Sequence, residues 1–321
     1  MGSSFRLKFN PGWRQLLRLP GTLAAVSRII REDCSTAAAD DHLWAFRGFH
    51  LEPWNPHYRA RPWQKIRFRE IGPADVVGLS VGEMAFMMHV AMELEDPILE
   101  YSRQNGEGFR RLLPSLGRFM GRNEAEASYA AEHGWPWCES PWCAEERRHG
   151  NAFAKAIERL TNETPVRDNP NVPRIMTADE DEALSHLASR EAAEWSSAST
   201  YVVMAAHARG SLHTLIRNIA RDEIKHLVIL SAADKHLLGH RPWARFVELV
   251  RIGVEHYRRQ QSCRSGGRNI GANPISALEV IVAHLLMERR LRQWLASVPS
   301  RTLAMIFEVD SPKMISGTPG S

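Results

Sequence analysis

Cysteine is scarce in this chain of 321 residues, and what there is lies scattered. Cys34, Cys138, Cys143 and Cys263 form no Cys-x-x-Cys pair, so a disulfide framework, a structural zinc site and an iron–sulfur cluster get no support. A reducing cytoplasm is the compartment this usage implies. No run approaches the roughly eighteen consecutive apolar residues of a membrane-spanning helix. No glycine-rich phosphate loop is present either: Ser265-Gly-Gly-Arg268 lacks a following Lys-Ser/Thr and a strand–helix setting. There is no nucleophile elbow, no Cys/His catalytic signature and no short repeat. Alternating apolar runs long enough for a sheet are almost absent, which leaves an all-α class.

Apolar residues make up 44% of the chain, enough for a sizeable core. The net charge is +4 and the pI about 9.0, with the surplus unevenly spread. The first acidic residue is Glu32, preceded by Arg6, Lys8, Arg14, Arg18, Arg28 and Arg31. A second basic stretch holds Arg59, Arg61, Lys65, Arg67 and Arg69. Such patches suit an acidic partner (a carrier protein, a ferredoxin, nucleic acid or anionic lipid) or are simply solvated faces. An arginine-rich start without acids also fits a targeting segment, against which Pro20-Gly21 interrupts any long amphipathic helix.

Residues 1–72 are rich in proline and tryptophan, show no sustained periodicity and read as an N-terminal extension that wraps a core. From Pro73 to about Gln104, Val77, Val81, Met84, Met88, Met92, Ile98 and Leu99 recur at helical spacing. The stretch 105–130 is basic and mixed, and reads as a shorter helix and a loop. Further helices are predicted over about 140–160, 177–209 and 211–238, with Thr177 and Asp179 as candidate caps and Gly210 as a break. The core therefore spans 73–238. Beyond it, 239–310 is predicted to hold a helix from Pro242 to Gln261, a Ser/Gly-rich linker over 262–271 and a last helix from Pro274 to about Ser297. Residues 311–321 form a small, polar tail expected to be disordered. The cluster Met84, Met87, Met88, Met92 suits core packing or the lining of a greasy tunnel.

Two Glu-x-x-His elements carry the chemistry: Glu146-Arg-Arg-His149 and Glu223-Ile-Lys-His226. Residues three apart on a helix share a face, so each element offers one carboxylate and one imidazole to the same metal. Two such elements, plus one lone Glu from each of two other helices, make the di-iron carboxylate site of ferritin-like four-helix bundles. The chain order required is Glu, Glu-x-x-His, Glu, Glu-x-x-His, and the sequence supplies it. For the third helix the choice lies between Glu191 and Glu194. Glu194 shares a stripe with Ser197, Ala198, Tyr201 and Ala205 and is preferred. For the first helix Glu93, Glu95 and Glu100 compete. Glu95 lies on the apolar face of Met88, Met92, Ile98 and Leu99, where a carboxylate is costly unless it is paired or binds metal. Glu93 shares a more polar face with His89, Asp96 and Glu100. The remaining helical histidines, His89, His207, His213, His236 and His284, lack a matching carboxylate and are expected to be packed or solvated.

The residues around these ligands resemble a known family. Trp142-Cys-Ala-Glu-Glu-Arg-Arg-His-Gly150 is similar to the Trp-Thr-Ala-Glu-Glu-Asn-Arg-His-Gly motif of the soluble acyl-carrier-protein desaturases. Arg221-Asp-Glu-Ile-Lys-His226 resembles their Ala-Asp-Glu-Lys-Arg-His, and Glu95-Asp-Pro-Ile-Leu-Glu-Tyr101 resembles their Glu-Glu-Ala-Leu-Pro-Thr-Tyr. The likeness covers roughly 73–238 and is specific only at the motifs. It implies Glu95, Glu146, His149, Glu194, Glu223 and His226 as metal ligands. It further implies Ser197 beside the oxygen site, where the family has Thr, and Asp222 as the hydrogen-bond partner of a ligand histidine. The basic insert departs from the pattern, since it sets Glu95 and Glu146 51 residues apart. So do the tryptophan-rich start and the C-terminal helices, the regions that would shape a substrate channel.

Four carboxylates balance two ferrous ions, and the nitrogen–oxygen donor set suits iron, in its Fe2+ and Fe3+ states, or manganese. Such a centre uses O2 to desaturate, hydroxylate or N-oxygenate an acyl or small organic substrate, free or bound to a carrier protein. Two external electrons are then needed, which implies a ferredoxin-like or flavoprotein reductant. A homodimer is expected and a nucleic-acid partner is not. The rival expectation is a ferritin-like protein that holds metal for structure, storage or radical generation. Storage is disfavoured by the long extensions, and a radical role would need a redox-active tyrosine, for which Tyr201 is the candidate.

Overall fold

The computed structural model describes residues 12–51, 62–95, 98–121, 124–132, 134, 139–167, 180–239 and 277–308. Among them the secondary structure is helical: eleven α-helices, two 3-10 turns, and no strand beyond a single bridge between Val76 and Ala208. In chain order the helices are α1 (Gly12–Asp33), α2 (Thr36–Leu51), α3 (Val81–Glu95), α4 (Ile98–Leu112), α5 (Pro114–Met120), α6 (Glu124–Glu132), α7 (Pro141–Thr161), α8 (Glu180–Ala206), α9 (Gly210–Leu238), α10 (Ala277–Ser297) and α11 (Ser300–Phe307). No described helix is long and apolar enough to cross a membrane.

The central pair is α8 and α9, joined by a turn at Gly210. Gly210 takes φ 59°, and a Cβ there would meet Asp75 Oδ1 at 2.9 Å, so only glycine fits. The same turn is tied to the incoming chain by Val77 N–H to His207 O (2.8 Å) and Arg209 N–H to Asp75 O (2.8 Å). α9 is buried on most of its surface, with Leu212, Leu215, Ile216, Ile219, Ile224, Leu227 and Val228 in the core alongside buried polar Asp222, Glu223 and His226. Such a helix needs partners on every side, and α2, α7, α8, α10 and α11 supply them. α7 starts where Ser140 caps the Cys143 amide (3.2 Å) with Pro141 in the first turn, and ends at Asn162 in the left-handed conformation (φ 58°). Its inner stripe, Glu146, His149, Phe153, Ile157 and Leu160, packs on α3 and α9.

Four expectations are corrected. The N-terminal region 1–72 is not without periodicity: it forms α1 and α2, and α1 runs through Pro20. Val26, Ile29, Ile30, Ala39, Leu43 and Phe46 are buried at helical spacing, and Asp33 anchors α1 to α9 through Arg217 and Arg221 (both 2.9 Å or less). The single helix expected over 73–104 is instead a 3-10 turn at Pro73–Asp75, then α3 and α4. Between the two helices the sequence reads Asp96-Pro97, and proline lacks the N–H that a continuous helix needs. The basic insert 105–130, expected as a shorter helix and a loop, is mostly helical. It holds the second half of α4, the buried α5 and most of α6, with Gly117 so close to α4 that a Cβ would sit 2.4 Å from Arg110 Cα. Finally, α11 follows the helix expected to be last, which itself spans Ala277–Ser297. The helix expected over 242–261, the linker 262–271 and the tail 311–321 lie outside the described residues.

Phe46 makes the first of these corrections testable, because its ring contacts Phe119 (5.5 Å) and Phe307 (5.2 Å) and is 3% exposed. Phe46→Ala is expected to cost about 3–5 kcal/mol in denaturant unfolding. A loss below about 1 kcal/mol would show that the N-terminal helices only lie against the surface.

Candidate metal centre

Four helices each deliver a carboxylate to one buried spot. Glu95 comes from the last position of α3, Glu146 from the second turn of α7, Glu194 from the middle of α8 and Glu223 from the middle of α9. His149 and His226 follow one turn after Glu146 and Glu223. All six are between 0% and 7% exposed. Their donor atoms form two groups, Glu95/Glu146/His149/Glu223 and Glu146/Glu194/Glu223/His226, and within each the atoms lie within 4.8 Å of one another. Glu146 and Glu223 belong to both groups. Glu146 turns one oxygen to each histidine: Oε2 lies 3.1 Å from His149 Nδ1 and Oε1 lies 3.3 Å from His226 Nδ1. Glu223 Oε1 is 3.0 Å from His149 Nδ1, and Glu194 Oε2 is 3.6 Å from His226 Nδ1.

The alternatives raised by the sequence fall elsewhere. Glu93 sits beside His89 (3.4 Å), a third exposed. Glu191 is buried, but it accepts a hydrogen bond from Ser231 (2.6 Å) and takes no part in either group. Glu100 is half-buried on α4 and also takes no part. Ser197 is half-buried on α8, one turn after Glu194, with no hydrogen bond to the cluster. Of the other histidines, His207 bonds Val77 O and Glu279, His213 bonds Ala205 O, His236 faces Glu308, and His284 packs on Trp195.

Around these six clustered residues lies a second set of groups, arranged crosswise. Asp222 of α9 accepts from His149 Nε2 of α7 (3.1 Å), and Glu145 of α7 accepts from His226 Nε2 of α9 (2.9 Å). Each imidazole is thereby fixed with Nδ1 facing the cluster. Each of these acids has its own cation: Arg148 for Asp222 (2.5 Å), Lys225 for Glu145 (2.5 and 2.6 Å). Trp63 Nε1–H also donates to Asp222 (2.7 Å), with its ring parallel to His149 and under the Arg148 guanidinium (4.2 Å). Tyr201 O–H donates to Glu95 (2.5 Å), and Arg190 Nη2 to Glu194 (3.2 Å). The sequence reading found Asp222 through the resemblance but missed Glu145, Lys225, Trp63 and Arg190. The signal for Glu145 was present: both elements read acid-Glu-x-x-His, Glu145-Glu146 against Asp222-Glu223.

Burial and mutual repulsion divide the protons unevenly. Burial, followed by the charge of Glu146, lifts Glu95 well above the usual carboxylate range. Burial with the charges of Glu146 and Glu194 does the same to Glu223. For Glu146, burial pushes upward but hydrogen bonds to both histidines outweigh it and hold the group well below that range. Glu194 is also held low, burial being outweighed by the hydrogen bond to His226. His149 is raised to about 10 against burial by Asp222 and Glu146, and His226 is raised well above its usual value by Glu145, Glu146 and Glu194. Burial opposes ionisation of Glu145 too, yet Lys225 holds it at about 2.

These residues fit a metal. Glu223 Oε1 and His226 Nδ1 are buried and point at other members of the cluster, 3.0 Å from His149 Nδ1 and 3.3 Å from Glu146 Oε1. Carboxylates gathered in a dry interior are costly unless a cation or protons compensate them. The donors are oxygen and nitrogen only, a set suited to iron, manganese or zinc. Asp222→Asn is expected to weaken metal binding about 10–100-fold, read by competition with a chromophoric chelator. An unchanged affinity would mean that Asp222 does not act through His149. Over Trp63 opens a surface groove of about 440 Å³, lined by Trp63, Phe68, Arg147, Arg148, Asn151 and Lys155. Comparison with protein-family models, curated proteins and solved structures gives no match.

Proposed function

We propose that the chain is an O2-dependent di-iron oxidoreductase built on a ferritin-like bundle formed by α3, α7, α8 and α9, with motifs that resemble those of the soluble acyl-carrier-protein desaturases. The observation that carries this reading is the pair of donor groups that share Glu146 and Glu223, each completed by one histidine and one further carboxylate. Glu95 and His149 would hold one ion, Glu194 and His226 the other, and Glu146 and Glu223 both. Two ferrous ions so held would supply two of the electrons that reduce O2, the acyl or small organic substrate giving up the other two as it is oxidised and the external donor restoring the ferrous state.

The chain's own residues bind, orient and exclude water. Tyr201 fixes Glu95, Arg190 fixes Glu194, and the Asp222 and Glu145 carboxylates fix the two imidazoles. Phe119 and Trp142 stand edge-on to His226 (6.0 and 6.4 Å between ring centres), and Phe153 packs on Tyr201 (5.4 Å), so the centre is walled by aromatic rings. Trp63, half-exposed, reaches His149 through Asp222 and offers electrons a bonded route inward. The cations Arg147 and Lys155 beside it suit an acidic ferredoxin-like or flavoprotein donor. Ser197 keeps its role beside the oxygen site by resemblance alone. A cytoplasmic homodimer without a nucleic-acid partner completes the proposal.

The test is to mix anaerobically reduced, iron-loaded protein with O2 in a stopped-flow spectrophotometer. A transient visible absorption, with O2 consumed, is expected in wild type and absent in Glu223→Ala. Iron that is bound but does not consume O2 would overturn the oxidoreductase reading. A radical-generating role is the second reading, favoured by the buried Tyr201 hydroxyl on Glu95. A stable tyrosyl signal in electron paramagnetic resonance, lost in Tyr201→Phe, would support it instead.

A further inference from the structure

Beside Glu194 the interior holds two hydrogen-bond donors that no described residue accepts. Trp142, on α7, is 1% exposed, and its Nε1–H has no partner. Arg190, on α8, gives Nη2 to Glu194, but its buried Nε–H has no partner either. The two are neighbours, since the Arg190 guanidinium carbon lies 5.1 Å from the Trp142 ring centre and 5.3 Å from that of Tyr101. The Tyr101 hydroxyl is hydrogen-bonded with His186 Nδ1 (3.2 Å) and accepts from neither donor. Buried donors left unpaired each cost about 1–3 kcal/mol, so a native interior rarely keeps a pair of them empty.

Charge narrows what would fill the place. Around the ligands, Asp222 is matched by Arg148 and Glu145 by Lys225. On the proposed di-iron reading, on which this inference rests, two divalent ions balance the four ligand carboxylates. Arg190, its side chain 16% exposed, is then one positive charge in excess, and it stands against the carboxylate whose charge the metal already neutralises. A single negative charge with planar acceptor geometry satisfies the guanidinium, the indole N–H and the balance together. A phosphate dianion would overshoot it.

We propose that Arg190 and Trp142 form the binding site for a carboxylate group next to Glu194, and that the substrate is a free carboxylic acid. An acyl chain held as a thioester on a carrier protein has no carboxylate to offer and would leave both donors unpaired. Arg190 thus acts as the specificity-determining residue, and Trp142, which lies in the motif this chain shares with the carrier-dependent enzymes, supplies the second donor.

Calorimetric titration of the full chain with benzoate and octanoate, against benzamide and octanamide, tests this without turnover. Metal content is measured on the same samples. The carboxylates are expected to bind and the amides to bind at least about tenfold more weakly. Arg190→Gln should lose about 10–100-fold and Trp142→Phe, which keeps the ring and removes the donor, about fivefold. Both donors exist without metal, so the metal-free chain should also bind carboxylates through Arg190, about tenfold more weakly because Glu194 then keeps its charge. A chain that takes up no metal yet binds carboxylate through Arg190 would overturn the di-iron reading and leave this one standing. Equal binding of acid and amide, binding unchanged in Trp142→Phe, or no carboxylate binding by the folded chain would overturn the carboxylate site and mean that water serves these donors. If Arg190→Gln does not fold, Arg190→Lys and Trp142→Phe decide the matter.

Discussion

Glu146→Ala is expected to empty both metal positions, whereas Glu95→Ala should leave one filled. The difference follows from where the oxygens point. Glu146 presents Oε2 to the His149 side and Oε1 to the His226 side, so its removal takes a donor from both groups at once. Glu95 belongs to the His149 group alone and faces Tyr201 on its other side. Removing it leaves Glu146, Glu194, Glu223 and His226 intact. Iron analysis after anaerobic loading and desalting should give about two ions per wild-type chain, about one for Glu95→Ala and close to none for Glu146→Ala. Equal losses in the two variants would mean that Glu146 does not bridge. Glu93→Ala, whose carboxylate pairs with His89 near the surface, should match wild type.

Metal uptake is expected to release protons and to tighten steeply as pH rises. Without metal, burial keeps Glu95 and Glu223 protonated above the usual carboxylate range, while their acid partners keep His149 (to about 10) and His226 charged. Glu146 and Glu194 supply the balancing negative charge. Divalent ions displace protons from these groups, because ligands bind metal in their deprotonated form. With two or more protons leaving, the apparent affinity should rise at least about a hundredfold per pH unit between pH 5 and 7. Calorimetry in buffers of different ionisation enthalpy would count the protons, and a release near zero would contradict this picture. Stability of the metal-free fold follows the same signs. Glu95, Glu223, His149 and His226 have raised values, so their contribution is full below the unfolded values and fades as pH rises through the folded ones. Glu145 and Glu146 have lowered values, so theirs is present above the ordinary carboxylate value and fades in strong acid. The metal-free chain should therefore be most stable at mildly acidic pH and lose stability toward alkaline pH, and metal should restore it there.

What could be read from the sequence was local. Glu146 and His149 share a face because they are three apart on a helix, and that holds wherever the helix packs. Glu95 was separable from Glu93 because only one of them falls on the apolar stripe of α3. The groups around the ligands were hidden because buried charged residues carry no local mark. Glu145, Arg148 and Lys225 sit in strings of charge that read as solvent-exposed, and their pairing depends on α7 meeting α9. Arg190 was likewise lost in the polar start of α8. The N-terminal helices were obscured by Pro20-Gly21, although Val26, Ile29 and Ile30 recur at helical spacing. α5 was not distinguished within 105–130, because Gly117 and Arg118 suggest surface, while its burial is fixed by contact with α4 and by Ser115 O–H donating to Phe307 O (2.8 Å), distant in sequence.

The central claim is one centre in which two metal ions share Glu146 and Glu223. Titration of the metal-free chain with Mn2+, followed by electron paramagnetic resonance, tests it most directly. The chain is expected to take up about two Mn2+, with the bound ions giving the multiline signal of a spin-coupled pair. A single uncoupled Mn2+, or none bound, would contradict it.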